Sequence, residues 1–322
     1  FTIFWVLNVA IGLGGGGILN KFTAILSPLI YVVVIGMTVW AISAAGGLGN
    51  ILAFSPQAAE DFNPVFVFLM ILNSVIAVWA APGASVSDFT QNATSTATQR
   101  RGQTLSLLVA YVVFAFCSVV ILIGASLATG TQHWDITTVI DSWDSVPLVV
   151  CATGVFLLTT ISTNATGNII PAGYQLAALF PKKLTYRSGV VIASVISFAI
   201  MPWKLMENSS SIYTFLNTIG AVLGPVAGVM IAHYYFVAKR QIDLDALYMD
   251  MNDQDKSNPY QGVNVPAYIA TIAALVISLS GQFIPALSFI SGVSWFAGFI
   301  SAFVIYLAIH KLSSSKAQAK AE

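Results

Sequence analysis

Apolar residues run along this chain in long blocks instead of alternating with polar ones. Phe22 to Ala59, Phe62 to Ser87, Gln103 to Gln132, Ser145 to Phe180, Ser188 to Trp203 and Asn208 to Ala238 hold no Lys, Arg, Asp or Glu. Gly262 to Ile309 holds none either, and is long enough for two spans. A helix crossing the hydrocarbon of a bilayer needs ~20 apolar residues. Water is absent there, so a crossing segment must be helical or part of a closed barrel to pair its backbone groups. The blocks are too long and too uniformly apolar for barrel strands of ~10 alternating residues. The pattern therefore predicts nine helical spans, at about residues 1–19, 22–45, 64–87, 103–129, 146–170, 188–203, 212–238, 263–284 and 289–310.

Charge sorts the connections into two kinds. Lys21, Arg100, Arg101, Lys182, Lys183, Arg187, Lys239, Arg240 and Lys256 fall in alternate loops, and Lys311, Lys316 and Lys320 in the tail. The intervening loops hold Glu60, Asp61, Asp135, Asp141, Asp144, Glu207 and a single base, Lys204. Twelve of the 13 Lys and Arg residues thus share one side, which the positive-inside rule makes the cytoplasm. One internal span more or fewer would scramble this regularity. The C-terminus is then inside and residue 1 outside. Since Phe1 already stands within an apolar run, an odd number of further spans is expected upstream. The longest polar loop, Asp243 to Asn264, reads as solvated and lacks calcium-loop spacing.

Composition agrees. The 322 residues are 57% hydrophobic and 8% charged, where a soluble domain carries roughly a quarter charged. Mean hydropathy is +0.82. A net charge of +0 gives no reason to expect nucleic acid or an acidic partner. Cys117 and Cys151 lie inside apolar runs and read as small buried hydrophobes, not a disulfide or metal pair.

Two spans carry unusual chemistry. The first holds Val78-Trp79-Ala80-Ala81-Pro82-Gly83. Pro removes a backbone donor and Gly beside it permits a break. One reading is an unwound segment lining a cavity, as in transporters that build substrate sites from broken helices, with the Trp79 ring placed to stack on a planar ligand. The other is a kinked packing helix with Trp79 in the bundle core. The second span contains Thr159-Thr160-Ile161-Ser162-Thr163-Asn164-Ala165-Thr166-Gly167-Asn168, seven hydrogen-bonding side chains in ten residues. Thr159, Ser162, Thr163 and Thr166 share one helical stripe, whose oxygens suit a hard cation such as sodium. At ~100° per residue Asn168 lies about halfway round from Thr159 and can face a different cavity with donors and an acceptor. The alternative is helix packing, with hydroxyls bonding across helices or back to their own carbonyls.

Asp88 ends the first of these spans and reads as a cap or gate ion pair with Arg100 or Arg101. His133, His233 and His310 have no carboxylate or Cys at metal spacing. The chain shows no Ser–His–Asp signature, no HExxH and no phosphate loop, so no catalytic residue is expected. The run Gly14 to Gly17 reads as close packing or a flexible turn.

Ser162-Thr163-Asn164-x-x-x-Asn168, followed by Pro171, Ala172 and Tyr174, resembles the eighth helix of nucleobase–cation symporter family 1. Trp79, nine residues before Asp88-Phe89-Thr90, resembles its sixth. The likeness is strongest to the bacterial allantoin permeases of that family. It runs through Leu19 to Leu26, Ser87 to Ala93, Thr160 to Gln175, Pro202 to Asn208 and Leu223-Gly224-Pro225. The resemblance implies an all-α polytopic membrane protein with the leucine-transporter-like inverted-repeat fold, of which helices four to twelve are present. Residues 1–45 would end the first repeat (helices four and five), and 64–238 would form the second (helices six to ten). Residues 239–262 would be a cytoplasmic loop, 263–310 two accessory helices (eleven and twelve), and 311–322 a cytoplasmic tail.

It implies further that Trp79, with Val78 beside it, stacks on the substrate ring and that Asn168 hydrogen-bonds it. Ser162 and Thr163 hydroxyls, with the Thr159 carbonyl, would form half of a sodium site. The family's remaining ligands and a second stacking Trp come from helices one and three, so neither site would be complete here. The expected function is a symporter of the cell inner (plasma) membrane. It would import allantoin or a related ureide, hydantoin or nucleobase by alternating access, with sodium or a proton as coupling ion and no other cofactor. Other readings are an amino-acid permease of the same fold, identified by zwitterion uptake, and a non-transporting receptor or scaffold, excluded by flux into proteoliposomes.

The charge pattern makes one direct prediction. In a background with Cys117 and Cys151 replaced by Ser, a membrane-impermeant thiol reagent added outside should label Cys at position 133 and not at 183. The opposite result would invert the topology.

Overall fold

The computed structural model describes residues 1–14, 16–55, 63–90, 93–247, 258, 260 and 262–318. The chain forms two compact units, Phe1–Glu60 with Ser85–Glu207, and Asp61–Ala84 with Asn208–Glu322. No strand occurs among the described residues. Glu60, Asp61, Asp250, Asp253, Asp255, Lys256 and Lys320 lie outside them.

The first unit contains α1 (Thr2–Gly14), α2 (Gly16–Ala44), α4 (Thr96–Thr129), α5 (Val146–Asn164) and α6 (Tyr186–Ala199). The second contains α3 (Pro64–Ala84), α7 (Ser209–Ala232), α8 (Val265–Phe283) and α9 (Ser294–Gln318). Among the described residues these helices overlap the stretches predicted as spans. Seven apolar segments are long enough to cross a bilayer, whereas α1 and α6, of 13 and 14 residues, are shorter. At 1.5 Å per residue a 14-residue helix covers ~21 Å of a ~30 Å core.

Local chemistry sets the boundaries and moves several from their expected places. Lys21, expected in the loop between the first two spans, lies within α2. Ser95 caps α4 by accepting from the Thr98 N–H, so this helix begins seven residues before Gln103, the start of the uncharged block. It ends at Gly130, whose φ of 69° is the left-handed cap conformation. Thr185 and Ser188 form a reciprocal capping box on α6, and Asn208 and Asn264 cap α7 and α8. A short helix, Ile136–Asp141, was not anticipated. Its Val139 and Ile140 are buried in the core of the first unit.

Burial follows the helical period with the usual polarity reversed. On α2, Ile30, Val34, Met37 and Ala41 pack against Cys117, Ile121 and Ala125 of α4 and Ala152 of α5. The opposite face of α2 presents Ile25, Val32 and Val39, each more than 60% exposed, as a lipid-facing helix should. Cys117 is buried as expected, but Cys151 is exposed, because its apolar stretch faces outward alongside Leu148 and Val150.

Small residues bring the helices together. A Cβ added at Gly124 of α4 would sit 2.7 Å from the Ala41 carbonyl oxygen. On α7, Gly220, Gly224 and Gly228 recur every four residues. A Cβ there would stand 2.6 Å from Ala77 Cβ, 2.5 Å from the Trp295 carbonyl and 2.4 Å from the Phe299 carbonyl. Lipid tails are as apolar as Leu, so close backbone approach replaces the hydrophobic driving force between membrane helices. The neighbours at 224 and 228 are carbonyls, which cannot rotate aside. Gly228→Val and Gly224→Val should therefore each destabilise the protein by ~1–3 kcal/mol or more. Gly36→Ala, with nothing within 4 Å, should be neutral or stabilising. Thermal unfolding in detergent checks all three.

Candidate functional site: a π-turn in α5 and a proline-bearing α3

The polar segment of α5 does not continue as a regular helix. Residues Ala165–Ile169 form a π-turn, in which the Ile170 N–H reaches the Ala165 carbonyl five residues back, and α-helix resumes over Ile170–Leu179. Pro171 supplies the local cause. It has no N–H to return to the preceding turn and its ring would crowd a carbonyl there. Single π-turns inside α-helices are frequent at functional sites. This interruption was not expected from the sequence, although Pro171 was the available signal.

The π-turn is where the asparagines meet. The Asn168 amide Nδ2 donates to Asn164 Oδ1 at 2.7 Å, and Asn164 Nδ2 donates to Asn8 Oδ1 of α1 at 2.9 Å. Asn8, 1% exposed, donates in turn to the Phe4 carbonyl at 2.8 Å. Asn168 itself is exposed. Gly12, one turn beyond Asn8, lets α1 approach closely, since a Cβ there would lie 2.5 Å from Ile169. Two further bonds tie α1 to α6, from Trp5 Nε1 to the Ser194 carbonyl at 2.8 Å and from the Tyr186 hydroxyl to the Gly12 carbonyl at 2.7 Å.

The hydroxyl stripe is a separate network. The buried Ser162 hydroxyl shares a 2.7 Å hydrogen bond with Thr23 of α2. Thr163 donates to the Thr159 carbonyl at 2.9 Å and Thr166 to the Ser162 carbonyl at 2.8 Å. Thr159 Oγ1 is buried with no hydrogen-bond partner. The Thr163 hydroxyl and the Thr159 carbonyl, two of the oxygens assigned by resemblance to a cation, therefore lie in contact with each other. The third, on Ser162, faces α2 instead. Neutral oxygens in such a set fit a hard monovalent cation, and a hydroxyl that donates its hydrogen keeps lone pairs for it. Thr23, Asn8 and Asn164 were not among the residues singled out as a site. Their significance depends on which helices pack together.

Asp88 lies on the short helix Val86–Thr90, and Gln175 Nε2 donates to its Oδ2 at 3.1 Å. That bond joins this segment to the second half of α5, a partner that the expectation of Arg100 or Arg101 did not include.

In the second unit, α3 runs unbroken through Pro82 to Ala84, and the helix is interrupted at Ser85, not at Pro82-Gly83. A proline at a helix's last turn is absorbed, since only one i→i−4 bond is lost. The lost bond is the one that residue 82 would donate to the Val78 carbonyl. Trp79, next to it, is 42% exposed and Val78 is 47% exposed, so neither is in the core of its unit. One face of α3 instead holds Asn73, fully buried, whose Oδ1 accepts from the Trp295 backbone N–H at 2.9 Å. Its Nδ2 lies 3.4 Å from Asn217 Oδ1 of α7, and Ser294 Oγ donates to the Asn217 carbonyl. Trp295 is a packing residue, stacked on Phe299 at 4.9 Å. At the far end of this unit, His233 Nδ1 hydrogen-bonds the buried Tyr306 hydroxyl at 2.8 Å. Among the described residues, no three His, Cys, Asp or Glu cluster as metal ligands.

These features define a polytopic α-helical membrane protein with a polar π-turn in one long helix and an exposed aromatic at the end of another. The solved structure of Mhp1, a nucleobase-cation-symport-1 family transporter in a closed conformation with bromovinylhydantoin bound, has the same fold. Its TM-score is 0.72 at 22% identity, over 98% of this chain and 67% of that one. The fold is thus the leucine-transporter-like one that the motifs suggested. Residues 1–304 match the family described as permeases for cytosine/purines, uracil, thiamine and allantoin, and the chain belongs to that family. It is 52% identical over 317 residues to the putative allantoin permease of Escherichia coli (strain K12), covering 98% of this chain and 65% of that protein. It is 32% identical over 313 residues to the allantoin permease of Bacillus subtilis (strain 168), covering 97% and 63%. The chain therefore spans just under two thirds of the length of these two relatives.

Proposed function

We propose that this chain forms most of a membrane permease that imports allantoin or a closely related ureide, hydantoin or nucleobase, driven by a co-transported cation. The observation that carries the reading is the Asn168 amide. It is held on the π-turn by one N–H, and its carbonyl oxygen and other N–H have no partner among the described residues. A planar ring with several amide donors and acceptors is the ligand such a group recognises. Two further observations support the reading, namely the relatives named as allantoin permeases and the exposed Trp79 near the end of α3. Trp79 and Asn168 belong to different units, and each assignment is tested by its own substitution.

For the aromatic assignment, Trp79→Ala in the full-length protein should weaken allantoin binding about ten- to hundredfold. Base–aromatic stacking, the nearest measured analogy, is worth ~1–3 kcal/mol. Trp295→Phe, which keeps the stack on Phe299, should leave affinity unchanged. Equal affinity for wild type and a folded Trp79→Ala protein would remove Trp79 from the site.

For coupling, the separate hydrogen-bond networks of Thr163 and Asn168 predict separable phenotypes. Thr163→Ala should abolish the stimulation of allantoin affinity by sodium and, by linkage, of sodium affinity by allantoin. Asn168→Ala should weaken allantoin at saturating sodium, by ~1–3 kcal/mol where a buried partner loses its bond. Titration of allantoin with and without sodium decides the matter. Wild-type affinity that ignores sodium but follows pH would replace sodium by a proton as the coupling ion.

A further inference from the structure

We infer that Asn8 is a positioning residue that fixes which way round the Asn168 amide is presented. The inference rests on the reading of Asn168 as a ligand-binding group and adds the residue that orients it.

A side-chain amide has a donor end and an acceptor end of almost the same shape, so an isolated Asn can turn over and present either. Here the ambiguity is removed from one end of a chain of bonds. The Phe4 group that Asn8 contacts is a backbone carbonyl, which only accepts, so the Asn8 atom 2.8 Å from it must be Nδ2. Asn8 Oδ1 is then the atom facing Asn164, and it accepts from Asn164 Nδ2 at 2.9 Å. Asn164 Oδ1 is left to accept from Asn168 Nδ2 at 2.7 Å. Each amide takes its direction from the one before. The last of them has one N–H committed, and its carbonyl oxygen and second N–H are presented outward.

The relay has the rigidity that this role requires. Asn8 is 1% exposed, and an Asn there is costly unless all its bonds are made. One turn along α1, Gly12 seats the helix against Ile169 of the π-turn. Trp5 and Tyr186 tie α1 to α6 through backbone carbonyls. Asn8 therefore cannot swing away to release Asn164, and Asn164 cannot turn over without losing two bonds. A ligand meeting Asn168 therefore finds a carbonyl oxygen and one N–H in a fixed order. Ureides, hydantoins and nucleobases carry adjacent N–H and carbonyl groups that match both.

The test pairs a ligand-independent readout with a binding cycle. Protein labelled with 15N-asparagine gives side-chain amide signals for residues 8, 164 and 168, assigned by single substitution, and allantoin and hydantoin serve as ligands. Asn8→Leu should shift the Asn164 and Asn168 amide signals and weaken allantoin binding about tenfold or more, with little change in ligand-free sodium affinity. In an Asn168→Ala background the same Asn8→Leu change should have no further effect on affinity. Asn8→Asp should recover most of the affinity, most fully at lower pH. A protonated carboxyl there can donate to the Phe4 carbonyl and accept from Asn164, keeping the direction of the relay. Unmoved amide signals would overturn the inference. So would an Asn8→Leu affinity loss of equal size with and without Asn168, which would mark Asn8 as a packing residue. Amide signals that move as expected in a protein to which no ureide, hydantoin or nucleobase binds would support the relay and sink the ligand reading instead.

Discussion

A backbone or side-chain polar group in the hydrocarbon must find its partner within the protein, and the structure of the first unit turns on one place where the helical ladder stops supplying it. At Ala165–Ile169 the hydrogen bonds of α5 slip from four residues back to five, ahead of a proline that cannot donate. A slip of this kind at membrane depth needs protein around it. The short helix α1 provides it, through Gly12 against Ile169 and Asn8 against Asn164. α6 in turn holds α1 by bonds to two of its backbone and indole groups.

The same economy of partners separates the two chemistries on α5. Hydroxyls on its stripe turn back onto their own helix or onto Thr23 of α2, while the amides turn to α1. A helix flanked by two different neighbours can therefore carry two independent networks a few residues apart. One suits a small hard cation and the other a planar amide, which is the physical basis for proposing that the ion and the organic ligand are read separately and linked only thermodynamically. Thr159 Oγ1, on the same residue as the carbonyl that accepts from Thr163, is buried without a hydrogen-bond partner.

In the second unit the organising contacts are closer and drier. Gly220, Gly224 and Gly228 bring α7 against α3 and α9 until carbonyl oxygens occupy the space of the missing side chains. Asn73 then takes the exposed N–H at the start of α9, a group that would otherwise be an unpaired helix-end donor. Burying Asn73 while leaving Trp79 exposed six residues later shows that α3 has one side committed to its own unit and another that is not.

The sequence by itself determined that this is a polytopic α-helical membrane protein. Charge and hydropathy in a bilayer are one-dimensional constraints, and an uncharged block has no other solution. Motifs such as Ser162-Thr163-Asn164-x-x-x-Asn168 and Trp79 before Asp88-Phe89-Thr90 also pointed to its family, since strings of that specificity survive without any geometry. Pro82 and Pro171 were both visible, but their outcomes were opposite, and local rules do not distinguish them. Pro82 stands in a final turn that absorbs it, whereas Pro171 stands within a helix that must continue, so the ladder slips. What the tertiary structure alone decided is who meets whom. Asn8 is an unremarked polar residue in an apolar run until α1 lies on α5, and Thr23 is one hydroxyl among many until α2 meets Ser162. The direction of an amide depends on partners more than a hundred residues away in sequence, and no periodicity along the chain records them.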